Sequence, residues 1–153
     1  MPFLCLLMKA ALAQTTGKIT EQQLIKSNIL GKEVKYTIYL PPDYTSSERT
    51  YPVVYLLHGY TDDNTGWLQF GEINRYANKA IVMPNGDSSW HINSYDGKEY
   101  EDFFIQEFMP AIEKTYHIKA EKKSRGIAGL SMGGYGALIY SLNILICLLQ
   151  PEH

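Results

Sequence analysis

The order of hydrophobic segments predicts an α/β domain whose sheet is mostly parallel at its centre, with antiparallel leading strands. Three observations carry this. Val34, Tyr36, Ile38 and Leu40 alternate after a Gly31-Lys32 break, the period-two pattern of a half-buried hairpin with residues 19–29. Residues 53–57 and 80–83 are continuous apolar runs, each ending abruptly at His58-Gly59 or Pro84-Asn85-Gly86, as suits strands buried on both faces. A helical period then separates them from a third core strand at residues 125–128, so strands and helices alternate.

Each element has a local cause. Pro41-Pro42-Asp43 ends the hairpin because proline supplies no ladder donor. Residues 67–78 carry a short helix after the turn-rich stretch 61–66, and a long polar loop covers residues 87–98. Phe103, Phe104, Phe108, Ile112 and Tyr116 recur at helical spacing across residues 99–116. Pro110 must kink or divide that helix, since it lacks the backbone donor and crowds the preceding turn. The strand at 125–128 runs directly into Gly129-Leu130-Ser131-Met132-Gly133-Gly134 and a helix beginning near Met132.

Composition bounds the function. The chain has 153 residues, 14 basic and 16 acidic, with no long single-sign run. That balance lacks the electrostatic footprint of a nucleic-acid binder. Residues 1–13 end in Ala11-Leu12-Ala13, followed by polar Gln14, and are expected to be a signal-peptide remnant of a secreted or periplasmic protein; the stretch is too short to span a bilayer. Residues 14–142 form one structural unit, and residues 143–153 an aberrant apolar tail in which Cys147 is read as a small buried hydrophobe.

Gly129-Leu130-Ser131-Met132-Gly133 matches G-x-S-x-G, and a strand before with a helix after is the context that gives this pattern meaning. The turn between them must be very sharp and must hold the serine in a strained backbone conformation. Residues two before and two after must therefore be small, as Gly129 and Gly133 are. The turn lifts the Ser131 hydroxyl above the strand ends, where the helix N-terminus favours a developing oxyanion. His58-Gly59-Tyr60 also follows a buried strand, where loops of open α/β sheets bind ligands. His58 is expected to organise its loop rather than act as a base. His91 is assigned an aromatic contact or a place facing substrate, and His117 a position capping a helix or facing solvent. Asp62, Asp63, Asp87 and Asp96 read as turn formers. No histidines or carboxylates recur at metal-ligand spacing, and no cofactor is expected.

Tyr55-Leu56-Leu57-His58-Gly59, Gly66-Trp67, Val82 to Gly86, Ser89-Trp90, Glu101 to Phe104 and Gly129 to Gly136 together resemble the esterase D family of α/β hydrolases, over roughly residues 30–142. That group includes S-formylglutathione hydrolases, feruloyl and acetyl-xylan esterases, tributyrin esterases and mycolyltransferases. The resemblance implies an α/β-hydrolase fold and a serine carboxylic ester hydrolase working through an acyl-Ser131 intermediate. It implies that the backbone N–H groups of Tyr60 and Met132 form the oxyanion hole, with Gly59, Gly129 and Gly133 shaping loop and elbow. The substrate would be a small-molecule or carbohydrate ester, with feruloyl and other carbohydrate-linked acyl groups favoured.

In this fold the triad order is serine, acid, histidine. Residues 132–153 hold one acid, Glu152, and one histidine, His153, adjacent on the tail, where they cannot reproduce an acid that orients a histidine against the serine. The sequence therefore reads as truncated after the elbow helix, its acid and histidine absent. Two alternatives share these residues: a catalytically inactive fragment, and an acyltransferase to a sugar hydroxyl.

Overall fold

The computed structural model describes residues 16–70, 73 and 78–147. Five strands form one sheet: β1 (Lys18–Ser27), β2 (Lys32–Leu40), β3 (Val53–Leu57), β4 (Ala80–Pro84) and β5 (Arg125–Gly129), in the order β1-β2-β4-β3-β5. β1 pairs antiparallel with β2 and β2 antiparallel with β4, while β3 runs parallel to both β4 and β5. The mixed sheet is thus parallel on one side and antiparallel on the leading side. Gly31 sits in the β1–β2 turn at φ +64, a left-handed conformation that glycine adopts without Cβ strain.

Helices cover both faces. On one, the side chains of Tyr36, Ile38, Tyr55, Leu57 and Val82 meet Phe103, Phe104, Phe108, Ile112 and Tyr140 in the larger core. Phe104 stacks on Tyr140 at 4.5 Å and meets the Tyr55 ring edge-on at 5.2 Å. On the other face, Tyr39, Ile73, Ile81 and Met83 form a smaller core with Trp67 and Leu68 of helix α1 (Gly66–Phe70). This second layer corrects the expectation that β2 is half-buried. Every residue from Tyr36 to Leu40 is buried, because α1 and its neighbours cover the face that alternation assigned to solvent. Thr37 is tolerated there because Asn64 Nδ2 donates to its hydroxyl at 2.9 Å.

The helix expected over residues 67–78 is described only through α1; residues 71–72 and 74–77 lie outside the described residues. The long helix runs without a break, and Pro110 is met by a change of winding. α2 (Tyr100–Asp102) leads into a π-helical segment (Phe103–Phe108) and that into α3 (Met109–Thr115), with Asp102, Phe108 and Met109 at the joins all in right-handed helical backbone. The wider winding lies just ahead of Pro110, whose ring crowds the preceding turn and whose missing N–H leaves a carbonyl unpaired. Within the π segment Glu107 turns back to the hairpin, accepting from Ser27 Oγ at 2.5 Å and from the Asn28 N–H at 3.0 Å.

β5 is partly exposed rather than a core strand, since it forms the sheet edge among the described residues. α4 (Met132–Cys147) carries the apolar run beyond Leu142 as continuous helix. Its exposed Tyr135, Leu138 and Leu142 lie at helical spacing on one face. The expected leader at residues 1–13, the last part of the tail and the burial of Cys147 lie outside the description.

Candidate active site

The carboxyl ends of β3, β4 and β5 lie side by side, and the loops leaving them carry the predicted residues. Leu57 pairs with Gly129, and the Leu130 N–H donates to the Leu57 carbonyl at 3.3 Å, so sheet pairing continues to the residue before the serine. The chain then reverses. Ser131 takes φ +53, a conformation that costs a side-chain-bearing residue about 1–3 kcal/mol and persists only where the surroundings impose it. α4 follows at once, with the Gly133 N–H donating to Leu130 O at 2.9 Å and the Tyr135 N–H to Ser131 O at 3.1 Å. The serine is exposed at the head of α4.

The two glycines of the motif are required sterically. A Cβ on Gly129 would overlap the Gly133 carbonyl and stand 2.8 Å from Gly133 Cα. A Cβ on Gly133 would overlap the Leu57 carbonyl oxygen and stand 2.7 Å from His58 O. α4 therefore begins in backbone-to-backbone contact with the end of β3. Gly59 belongs to the same contact, since a Cβ there would lie 3.6 Å from Leu130 O and 4.0 Å from Ser131 Cβ.

His58 is buried, and both its ring nitrogens are committed to backbone. Nε2 accepts the Gly86 N–H at 2.8 Å, which makes it the unprotonated nitrogen, so Nδ1–H donates to Gly59 O at 2.7 Å. The residue ties the loop after β3 to the loop after β4, the organising role expected for it. Beyond it, the Tyr60 N–H and the Met132 N–H have no acceptor among the described residues. The first belongs to a loop touching Ser131 and the second to the first turn of α4, where N–H groups are unpaired by construction.

The loop after β4 closes the site. Asp87, Trp90 and His91 adopt φ +47, +61 and +56, a concentration of left-handed residues in five positions. The Trp90 N–H rests on Met132 Sδ at 3.2 Å, joining this loop to the first turn of α4. The exposed Trp90 ring lies 6.2 Å from Tyr60 and meets Tyr135 edge-on at 6.1 Å, so three half-exposed aromatics adjoin the serine's loop and helix. His91 does not face outward. It is buried between Gly86 and Gly136, donates through Nε2 to His58 O at 3.3 Å, and packs edge-on against the His58 ring at 5.2 Å. Burial first, and the neighbouring His58 second, push its pKa down to about 4, so it is neutral at pH 7.

Other predicted residues fall outside this cluster. His117 is exposed and stacks on Tyr44 at 5.1 Å. Asp63 forms the expected turn, accepting from the Thr65 N–H and hydroxyl, and Asp62 and Asp96 are likewise occupied locally. Asp87 does more than form a turn: its carboxylate binds Lys32 and Tyr100, from distant parts of the sequence. The sequence carried no signal for that contact, nor for the grouping of Tyr60, Trp90 and Tyr135. Among the described residues no group of three His, Cys, Asp or Glu side chains gathers as metal ligands do.

An esterase of Mycobacterium tuberculosis is 39% identical over 125 residues, covering 76% of this chain and 27% of that protein. A bifunctional endo-1,4-beta-xylanase/feruloyl esterase of Xylanibacter ruminicola is 29% identical over 140 residues, covering 80% of this chain and 19% of that protein. Among solved structures, a ferulic acid esterase superposes with a TM-score of 0.74 at 34% identity, covering 83% of this chain and 55% of that one. A fluorophosphonate-binding serine hydrolase of Staphylococcus aureus superposes with a TM-score of 0.76 at 29% identity, covering 84% of this chain and 52% of that one. The chain thus spans about a quarter of the first and about half of the solved structures it matches, and over that span it has the α/β-hydrolase architecture of these esterases. The Esterase family model matches residues 27–144, from the end of β1 into α4, and the chain belongs to that family.

Proposed function

We propose that this chain carries the nucleophile and oxyanion half of a serine carboxylic ester hydrolase, with Ser131 as the attacking residue. The observation that carries the reading is the backbone of Ser131, held at φ +53 with its side chain exposed at the N-terminus of a 16-residue helix. Ser131 Oγ attacks the ester carbonyl carbon while a general base takes its proton. The carbonyl oxygen becomes an oxyanion that accepts from the Tyr60 and Met132 N–H groups. The C–O bond to the alcohol breaks, the alcohol leaves with the proton, and water then releases the acid from acyl-Ser131.

Among the described residues, the two histidines nearest the serine do not supply that base. His58 Nε2 is occupied by the Gly86 N–H, and His91 spends its Nε2 on His58 O, so neither serves Ser131. The exposed faces of Tyr60, Trp90 and Tyr135 suit a planar aromatic acyl group, which a feruloyl ester supplies. In the active protein that contains this segment, Ser131→Ala is expected to lower kcat/KM for p-nitrophenyl acetate by about 10³-fold or more. An unchanged rate would remove Ser131 from the mechanism.

A further inference from the structure

The buried His58 ring does more than tie two loops together. Its Nδ1–H donates to Gly59 O at 2.7 Å, and the Asp62 N–H reaches the same oxygen at 3.2 Å. A carbonyl oxygen has two lone pairs, so Gly59 O is fully engaged. That carbonyl and the N–H of Tyr60 belong to one peptide unit. A trans peptide is planar and rigid, with its C=O and N–H antiparallel, and the described residues contain no cis bond. Anchoring Gly59 O on the ring therefore turns the Tyr60 N–H away from the ring, and that N–H has no acceptor among the described residues. The unit lies beside Ser131, since a Cβ on Gly59 would stand 3.6 Å from Leu130 O and 4.0 Å from Ser131 Cβ.

We infer that His58 is a positioning residue: its Nδ1–H holds the Gly59–Tyr60 peptide in the orientation that presents the Tyr60 N–H to a developing oxyanion. The role rests on the esterase reading, in which that N–H is an oxyanion donor. A lock is needed because glycine at 59 lacks the Cβ that would resist turning the peptide over. Turned over, the unit would offer a carbonyl oxygen, which repels an oxyanion. The two bonds to Gly59 O also polarise the amide and so strengthen its N–H as a donor.

The lock is set from the neighbouring loop. The Gly86 N–H donates to His58 Nε2 at 2.8 Å, which keeps the proton on Nδ1, where Gly59 O receives it. The His91 Nε2–H donates to His58 O at 3.3 Å and steadies the preceding peptide in the same way. The loop after β4 thus fixes the tautomer, and the tautomer fixes the direction of a donor in the loop after β3.

The test separates the two ring contacts. His58→Asn places an amide N–H where Nδ1 stands and leaves the Gly86 N–H without its acceptor. His58→Gln places its amide where Nε2 stands and leaves Gly59 O without its side-chain donor. Each variant loses one bond, so a merely structural His58 predicts similar urea midpoints and similar reactivity for the pair. The readout is the second-order rate of fluorophosphonate labelling at Ser131 in the 153-residue chain, because the phosphoryl oxygen gains negative charge where the ester oxygen would. Losing an oxyanion donor costs about 10²–10³-fold in rate, and turning one away in His58→Gln should cost at least about tenfold. His58→Asn should label at least about fivefold faster than His58→Gln. In the active protein that contains this segment, kcat for p-nitrophenyl acetate should rank the pair in the same order. In the unsubstituted chain, a long-range ¹H–¹⁵N correlation spectrum should find His58 protonated on Nδ1, a measurement independent of any variant's folding. Equal rates in the two variants, the reverse order, or a proton on Nε2 would each overturn the positioning role and leave the esterase reading intact. Absence of labelling at Ser131 in the unsubstituted chain would remove the esterase reading and the role with it.

Discussion

Replacing Gly133 by alanine probes the elbow through its packing, and the size of the effect can be worked from the structure. The new Cβ would overlap the Leu57 carbonyl oxygen and lie 2.6 Å from Leu57 C and 2.7 Å from His58 O, all backbone atoms that no rotamer change can move. Reaching an ordinary 3.4 Å contact with Leu57 C alone demands a retreat of about 0.8 Å between α4 and β3. Overpacking of a closed contact costs about 1–3 kcal/mol, and the upper end applies where backbone must yield. Against this stands the better helix propensity of alanine, about 1 kcal/mol. Repulsion wins, and the variant should lose about 2 kcal/mol of stability, a fall of roughly 4–8 °C in Tm for a chain of this size. Gly134→Ala is the matched control, because its Cβ would approach only Gly129 O, at 3.3 Å. It should stay within about 0.5 kcal/mol of the parent. Urea denaturation of the three proteins decides: equal midpoints for Gly133→Ala and the parent would refute the claim that this glycine is required by contact.

Three further outcomes are expected. His91 has its folded pKa pushed down to about 4 from an ordinary 6.5, so the folded state favours its neutral form. The stability this represents is fully present above pH 6.5 and is lost as pH falls from 6.5 toward 4, by about 3 kcal/mol in all, and His91→Phe should flatten that part of a pH–stability curve. Glu113, almost fully buried, takes two bonds from Arg125 at 2.5 and 2.7 Å. Arg125→Met should cost about 3–5 kcal/mol by stranding the carboxylate, whereas Arg125→Met with Glu113→Leu should recover most of it in the same denaturation assay. His58→Phe removes the two bonds joining Gly59 and Gly86 and should destabilise by about 2–3 kcal/mol; hydrogen exchange at Gly86 rising in step with the loss would confirm the cause.

What could be read from the sequence was local. The sharp strand-to-helix turn at Ser131 was legible because its steric demand falls on residues two positions either side, and because β3 and β4, whose ends lie beside it, are continuous apolar runs. Loop organisation by His58 was legible for the same reason: a histidine at a strand end has backbone groups within reach. The full burial of β2 was not, since whether Thr37 and Tyr39 face solvent depends on α1, which arrives some thirty residues later. Nor was the π-helical segment, which lets a six-residue stretch re-phase ahead of Pro110 while keeping Phe103, Phe104 and Phe108 in the core. The Tyr60–Trp90–Tyr135 group and the Lys32–Asp87–Tyr100 contact assemble from separate loops, and no period or motif relates them.

The central claim is that Ser131 is the nucleophile, and the site of covalent modification tests it most directly. Exhaustive incubation of the folded chain with a fluorophosphonate, followed by peptide mass mapping, should place a single, saturable adduct on the peptide containing Ser131, absent from Ser131→Ala. An adduct at any other serine, or labelling that survives Ser131→Ala, would contradict the assignment.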